Sequence, residues 1–125
     1  MSRRRITRAR LLHEAFLTAL RFNAGYRGYE NETKAQIALR RRAPGYSRAQ
    51  YESAFTKALR LYASTLRLIT RSLPSLRVSW KIPQQSSAPY DLRPLMLRLR
   101  RQEPGFLSST YFRALNWVWY WHYLK

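Results

Sequence analysis

The sequence predicts a mainly α-helical protein, a small bundle of about five helices built from two similar αα-hairpins, with one short extended segment near 76–82. Three observations lead there. Apolar residues recur at helical spacing over most of the chain. The helical stretches are bounded by capping or Pro-Gly signals. A pattern covering two helices and the turn between them occurs twice, from residue 39 and again from residue 99.

Residues 7–23 form the first expected helix, with Leu12, Phe16, Ala19 and Leu20 on one face. Gly25 and Gly28 mark the loop that follows. Residues 33–42 make a short second helix, in which Thr33 and Gln36 fit a capping box and Pro44-Gly45 ends the run. Residues 47–70 make the third. Ser47 and Gln50 repeat the capping box, and Tyr46 and Tyr51 are placed as a hydrophobic staple. Tyr51, Phe55, Ala58, Leu59, Tyr62, Leu66 and Ile69 form its apolar stripe. Over 76–82, Leu76, Val78, Trp80 and Ile82 alternate with Arg77, Ser79 and Lys81, a strand pattern between Pro74 and Pro83. The fourth helix is expected at 91–102, with Asp91 as N-cap and Pro94 in the first turn, and the last from about 108 to 124.

The two occurrences of the pattern match without gaps. Leu39-Arg40-Arg41 corresponds to Leu99-Arg100-Arg101, Pro44-Gly45-Tyr46 to Pro104-Gly105-Phe106, and Tyr51, Ala54 and Phe55 to Tyr111, Ala114 and Leu115. Glycine suits the left-handed residue that ends a helix, and the aromatic after it folds back onto the next one. Ser47 corresponds to Leu107, so the second hairpin lacks that cap and Ser108 is expected to replace it. The chain reads as one domain, 1–125, with repeat units at 33–70 and 91–124 and an extended linker at 72–90.

Charge is the abnormal feature. The 125 residues carry 24 Lys and Arg against 6 Asp and Glu, a formal net charge of +18. Residues 1–70 hold 15 basic and 4 acidic residues (+11), and residues 71–125 hold 9 and 2 (+7), so the excess runs through both halves. Such self-repulsion opposes compaction unless a counter-charge is supplied, and an anionic partner is the simplest source. A GC-rich genome inflates Arg, but it does not remove carboxylates.

Several function classes lose ground. There is no Cys, hence no disulfide and no thiolate metal site. No apolar run approaches the roughly 20 residues that span a bilayer. His13 and His122 stand at opposite ends, the acids are scattered, and neither a paired-carboxylate motif nor a phosphate-cradling glycine loop is present. Glu30 and Glu32 share a loop that precedes a helix, where acids are favoured. The expectation is a non-enzymatic protein without metal or cofactor.

The residues that point to a function are arginines interleaved with aromatics. Arginine forks grip phosphates and stack on bases, and aromatic rings supply stacking platforms. Three basic patches are candidates for nucleic-acid binding. The first is the arm Arg3, Arg4, Arg5, Arg8 and Arg10. The second is Arg40, Arg41 and Arg42, echoed by Arg98, Arg100 and Arg101. The third is the face of the third helix that carries Lys57, Arg60, Arg67 and Arg71, a face that holds no acid of its own. Trp117, Trp119, Trp121 and Tyr123 crowd the C-terminal segment, as helix core or as a surface for a protein partner or self-association.

The leading expectation is a nucleic-acid-binding module, with RNA or single strands ahead of duplex DNA because aromatics are abundant. The alternative is a structural or adaptor subunit that uses its basic face and aromatic last helix, and a third is peripheral binding to anionic membranes. A cytoplasmic location is expected. The Arg-rich amphipathic start also resembles a mitochondrial transit peptide, which keeps import as an alternative.

Overall fold

Thr7 begins the first helix by taking an extended conformation and accepting a hydrogen bond at its side chain from the Arg10 N–H (3.1 Å). A computed structural model describes residues 7–80 and 93–120, with side chains described for 7–71 and 93–120. Within these bounds the protein has five helices in the order α1 (Arg8–Asn23), α2 (Glu32–Arg42), α3 (Arg48–Trp80), α4 (Arg93–Gln102) and α5 (Ser108–Trp119). No described residue lies in a strand. The architecture is therefore the expected all-α bundle, with α2–α3 and α4–α5 as its two hairpins.

Three local expectations are corrected. Asn31, not Thr33, caps α2. Its Oδ1 accepts from the Lys34 N–H at 2.9 Å, which starts the helix one residue earlier and puts Glu32 in the first turn, where the helix dipole favours an acid. Ser108 does not cap α5. Leu107 holds that position with no side-chain bond, and the Ser108 hydroxyl instead accepts from Arg100 Nη2 at 3.0 Å. Residues 76–80 are not extended, because α3 runs unbroken to Trp80. Leu73, Leu76 and Trp80 are spaced three and four apart, so two of the residues that alternate, Leu76 and Trp80, also fit a helical period. At 1.5 Å per residue, its 33 residues make a rod of about 50 Å. Asp91 and residues 81–82 lie outside the described residues.

The core is one cluster. Leu11, Leu12, Ala15, Phe16 and Ala19 of α1 meet Tyr51, Phe55, Ala58, Leu61, Leu68 and Ile69 of α3, and Tyr111, Ala114, Leu115, Val118 and Trp119 of α5. Side-chain contacts fix the directions. Phe22, at the end of α1, packs edge-on against Phe55 near the start of α3, with centroids 5.6 Å apart. Leu12, at the start of α1, lies by the α4–α5 turn, where its Cδ1 would stand 3.5 Å from a Cβ added to Gly105. Ser64, well along α3, donates to Glu103 just before α5 (3.0 Å). So α3 runs opposite to both α1 and α5.

Both hairpins close in the same way. The Tyr51 hydroxyl donates to the Ala43 carbonyl (2.6 Å) and accepts from the Tyr46 N–H (3.2 Å). The Tyr111 hydroxyl donates to the Glu103 carbonyl (2.7 Å) and accepts from the Phe106 N–H (3.3 Å). Each ring also packs edge-on with the aromatic after the turn glycine, at 6.1 Å for Tyr46–Tyr51 and 5.8 Å for Phe106–Tyr111. Gly45 and Gly105 hold φ of 101° and 104°, a conformation that side chains oppose. The expected Ser47–Gln50 capping box is present, with Gln50 N–H to Ser47 Oγ at 3.2 Å and Ser47 N–H to Gln50 Oε1 at 2.8 Å.

Removing either tyrosine hydroxyl orphans one carbonyl and one N–H at a turn. Tyr51→Phe and Tyr111→Phe are each expected to lower unfolding stability by about 1–3 kcal/mol. Urea titration checks this through a lowered midpoint at unchanged slope.

Candidate nucleic-acid interface

The antiparallel arrangement decides where the basic runs land. Arg40, Arg41 and Arg42 end α2 beside the first turns of α3. Arg100 and Arg101 end α4, with Arg98 just before them, beside the second half of α3. From Tyr51 to Arg67 along α3 is about 24 Å at 1.5 Å per residue. That exceeds the roughly 8–10 Å over which exposed charges act in physiological salt. The structure therefore separates the two halves of the second expected patch.

It also brings together residues from three patches. Arg67 and Arg71 of α3 line a recess of about 390 Å³ with Gln102 and Glu103, directly after the α4 arginines. The first turn of α1, with Arg8 and Arg10, stands at the same end, since His13 and Thr110 join α1 to α5 there. Arg113, one turn into α5, lies close enough to act electrostatically on His13, as does Arg10. One end of the bundle thus gathers Arg8, Arg10, Arg67, Arg71, Arg98, Arg100, Arg101 and Arg113. Arg60 is exposed about two turns before Arg67, and Lys57 is half-buried in the first third of α3, away from this end. Arg3, Arg4 and Arg5 lie outside the described residues.

Three of the five described carboxylates lie elsewhere, among a second basic group of Arg21, Arg27, Lys34, Arg40, Arg41, Arg42 and Arg48. Glu30, Glu32 and Glu52 lie toward the opposite end. Glu30 Oε1 accepts from the Gly28 N–H (2.8 Å) and faces Lys34 Nζ at 3.5 Å. Those hydrogen bonds, first from its own backbone, hold its carboxyl below the usual range. Glu52 pairs with Arg48 at 3.1 Å. Glu32 and Glu52 share a recess with Arg40 and Arg48. At the basic end the described acids are Glu14, paired with Arg10 at 3.1 Å, and Glu103.

Glu103 amends the reading of α3's basic face. That face has no acid of its own, but the turn after α4 delivers one. Glu103 Oε2 accepts from the Ser64 hydroxyl, whose oxygen also accepts from Arg67 Nη2 at 3.2 Å. The other arginines of this end are engaged differently or not at all. Arg100 reaches Ser108, and Arg8, Arg71, Arg98, Arg101 and Arg113 have no ion pair or hydrogen bond among the described residues.

The C-terminal aromatics divide. Trp119 is 4% exposed and belongs to the core, which removes it as a surface for a partner. Trp117 is half-buried against the core and under Tyr26, at 6.5 Å between centroids. Trp121 and Tyr123 lie outside the described residues. Phe112, Arg113 and Asn116, which no motif singles out, instead line an outward recess on α5 with His13 and Ser109. Among the described residues no group of three or more His, Cys, Asp or Glu side chains is placed to hold a metal, and no helix is long and apolar enough to cross a membrane. No family model, no curated protein and no solved structure matches the chain.

His13 is the titratable group of this end. It is buried between α1 and α5, and its Nδ1 shares a 2.5 Å hydrogen bond with the Thr110 hydroxyl. Burial lowers its pKa below 6.5, with Arg10 and Arg113 acting in the same direction and Glu14 against them. The folded state thus holds the imidazole neutral while the unfolded chain protonates at 6.5. Stability is complete above that pH and falls as the pH drops through it. Unfolding midpoints are expected to decline between pH 6.5 and about 5, above the range where carboxylates titrate, and His13→Gln is expected to flatten that stretch.

Proposed function

We propose that this chain is a non-enzymatic nucleic-acid-binding module that grips the phosphate backbone with the arginine-rich end of its bundle. The single observation that carries the reading is the gathering of arginines from four helices at one end. Arginines from α1, α3, α4 and α5 meet at one end, where the two described carboxylates are already occupied by Arg10 and Ser64. Fixed positive charge at several helix ends suits a flexible polyanion, whose bound counterions are released as phosphates are neutralised. Single-stranded nucleic acid, RNA foremost, is the proposed ligand, and the cytoplasm the proposed setting. Arg40–Arg42 would then contribute general attraction, not the grip.

Two charge reversals of equal size separate this reading from a diffuse charge effect. Arg71→Glu with Arg101→Glu alters the basic end, and Arg41→Glu with Arg42→Glu alters the other. Each pair changes the net charge by the same amount. With a labelled single-stranded RNA followed by fluorescence anisotropy, the first pair is expected to weaken binding at least about 10-fold and the second about 2–3-fold. The wild-type slope of log affinity against log salt is expected to be steeper than about −3, at roughly −0.7 per phosphate contacted. An isotherm indifferent to salt, or equal losses in the two pairs, contradicts the proposal.

A further inference from the structure

Phe112 is 50% exposed on α5, between the buried Tyr111 and residues that face solvent. The corresponding residue of the first hairpin is Glu52, which is exposed and paired with Arg48 at 3.1 Å. Likewise Arg113 corresponds to Ser53, Asn116 to Thr56 and Ser109 to Ala49. The hairpin closes equally well with polar residues there, as its turn hydrogen bonds show. Packing therefore does not call for a phenyl ring at 112.

The ring stands in a recess of about 360 Å³ with His13, Ser109, Arg113 and Asn116. Asn116 Nδ2 donates to the Phe112 carbonyl (3.1 Å), and its Oδ1 has no partner among the described residues. His13 spends Nδ1 on Thr110, and its Nε2 has no partner among the described residues. Arg113 has none either. One recess thus joins an exposed aromatic face, hydrogen-bonding groups with spare capacity and a free guanidinium. A flat heterocycle with a phosphate attached uses all three: the face by stacking, the amide and imidazole at the base edge, the guanidinium at the phosphate.

We propose that this recess is a stacking site for one unpaired base of a single-stranded nucleic acid. The proposal rests on the nucleic-acid reading above and deepens it, since a phenyl ring reaches a base face only when that base is outside a duplex. Phe112 stacks the base, Arg113 holds the adjoining phosphate, and Asn116 and His13 bind the edge.

The test compares a labelled 12-nucleotide oligouridine with an abasic strand of the same length and charge, using wild type, Phe112→Ala and Phe112→Tyr. Wild type is expected to prefer the oligouridine. Phe112→Ala is expected to weaken oligouridine binding about 5- to 150-fold, leave the abasic strand unchanged and keep the salt slope. Phe112→Tyr, which keeps the ring, is expected to retain the preference. Equal wild-type affinity for both strands, with steep salt dependence, overturns the stacking site while the phosphate-binding reading stands. Binding to neither strand overturns both. Equal losses of Phe112→Ala on the two strands, or a Phe112→Ala effect confined to phosphatidylglycerol vesicles, also overturns it.

Discussion

The structure depends on one hydroxyl per hairpin. A helix that ends leaves carbonyls without partners, and a tight turn leaves N–H groups in the same condition. Tyr51 and Tyr111 satisfy one group of each kind with a single oxygen, from inside the core, five residues after the N–H that they accept. Because each tyrosine is buried in the next helix, its hydroxyl also holds that helix against the one just ended. The hairpin angle is thus set by a buried side chain. With both hairpins closed this way, α3 runs antiparallel to both α1 and α5, and the two turns fall at opposite ends of the molecule.

That placement governs the electrostatics. The two turns follow similar basic runs, yet they meet different surroundings. The first lies near Glu52, which pairs with Arg48, and near Glu32, which shares a recess with Arg40, while Arg41 and Arg42 have no ion pair among the described residues. The second meets α1's first turn and α3's second half, which add Arg8, Arg10, Arg67 and Arg71. Exposed i,i+4 pairs such as Arg48–Glu52 are worth only about 0.3–0.5 kcal/mol, so their weight in folding is slight. Their consequence is where charge is cancelled and where it is left standing. At the basic end Glu14 is taken by Arg10, and Glu103 is turned toward Ser64.

Much of this fold was legible because the apolar spacing is dense and the turns carry strong signals. Pro44-Gly45 and Pro104-Gly105 state both their location and the sign of φ. The misreadings have physical causes. Leu76 and Trp80 satisfy alternation and helical spacing together, so a short window does not distinguish a strand from the end of a long helix. Thr33 and Asn31 are both able caps, and backbone geometry chose Asn31. Arginine runs are visible along the chain, but which runs share an end depends on helix direction, which no local pattern encodes. Glu103 is the clearest case, since only the packing of α4 against α3 places a carboxylate within reach of Ser64. The tryptophans of α5 crowd more than one face, and periodicity alone did not assign Trp119 to the interior.

The pair of hairpins serves as its own control. At positions that close the turn or enter the core, the two agree in chemistry: leucine, glycine, an aromatic, tyrosine, alanine. At several outward positions they part, from Glu52 to Phe112 and from Ser53 to Arg113, while the exposed arginines that end the first helix of each hairpin are kept in both. What closes the turn in both is what the hairpin requires, and the outward positions where they differ are free for another purpose. The divergence has a direction. The first hairpin's outward face holds a paired carboxylate, while the second replaces carboxylate with phenyl and hydroxyl with guanidinium. The first change leaves α5 less suited to water, and the two together suit it to something that is both flat and negative. They fall on the end of the bundle where the other arginines gather, so the aromatic surface and the uncompensated charge occupy the same region for a common structural reason.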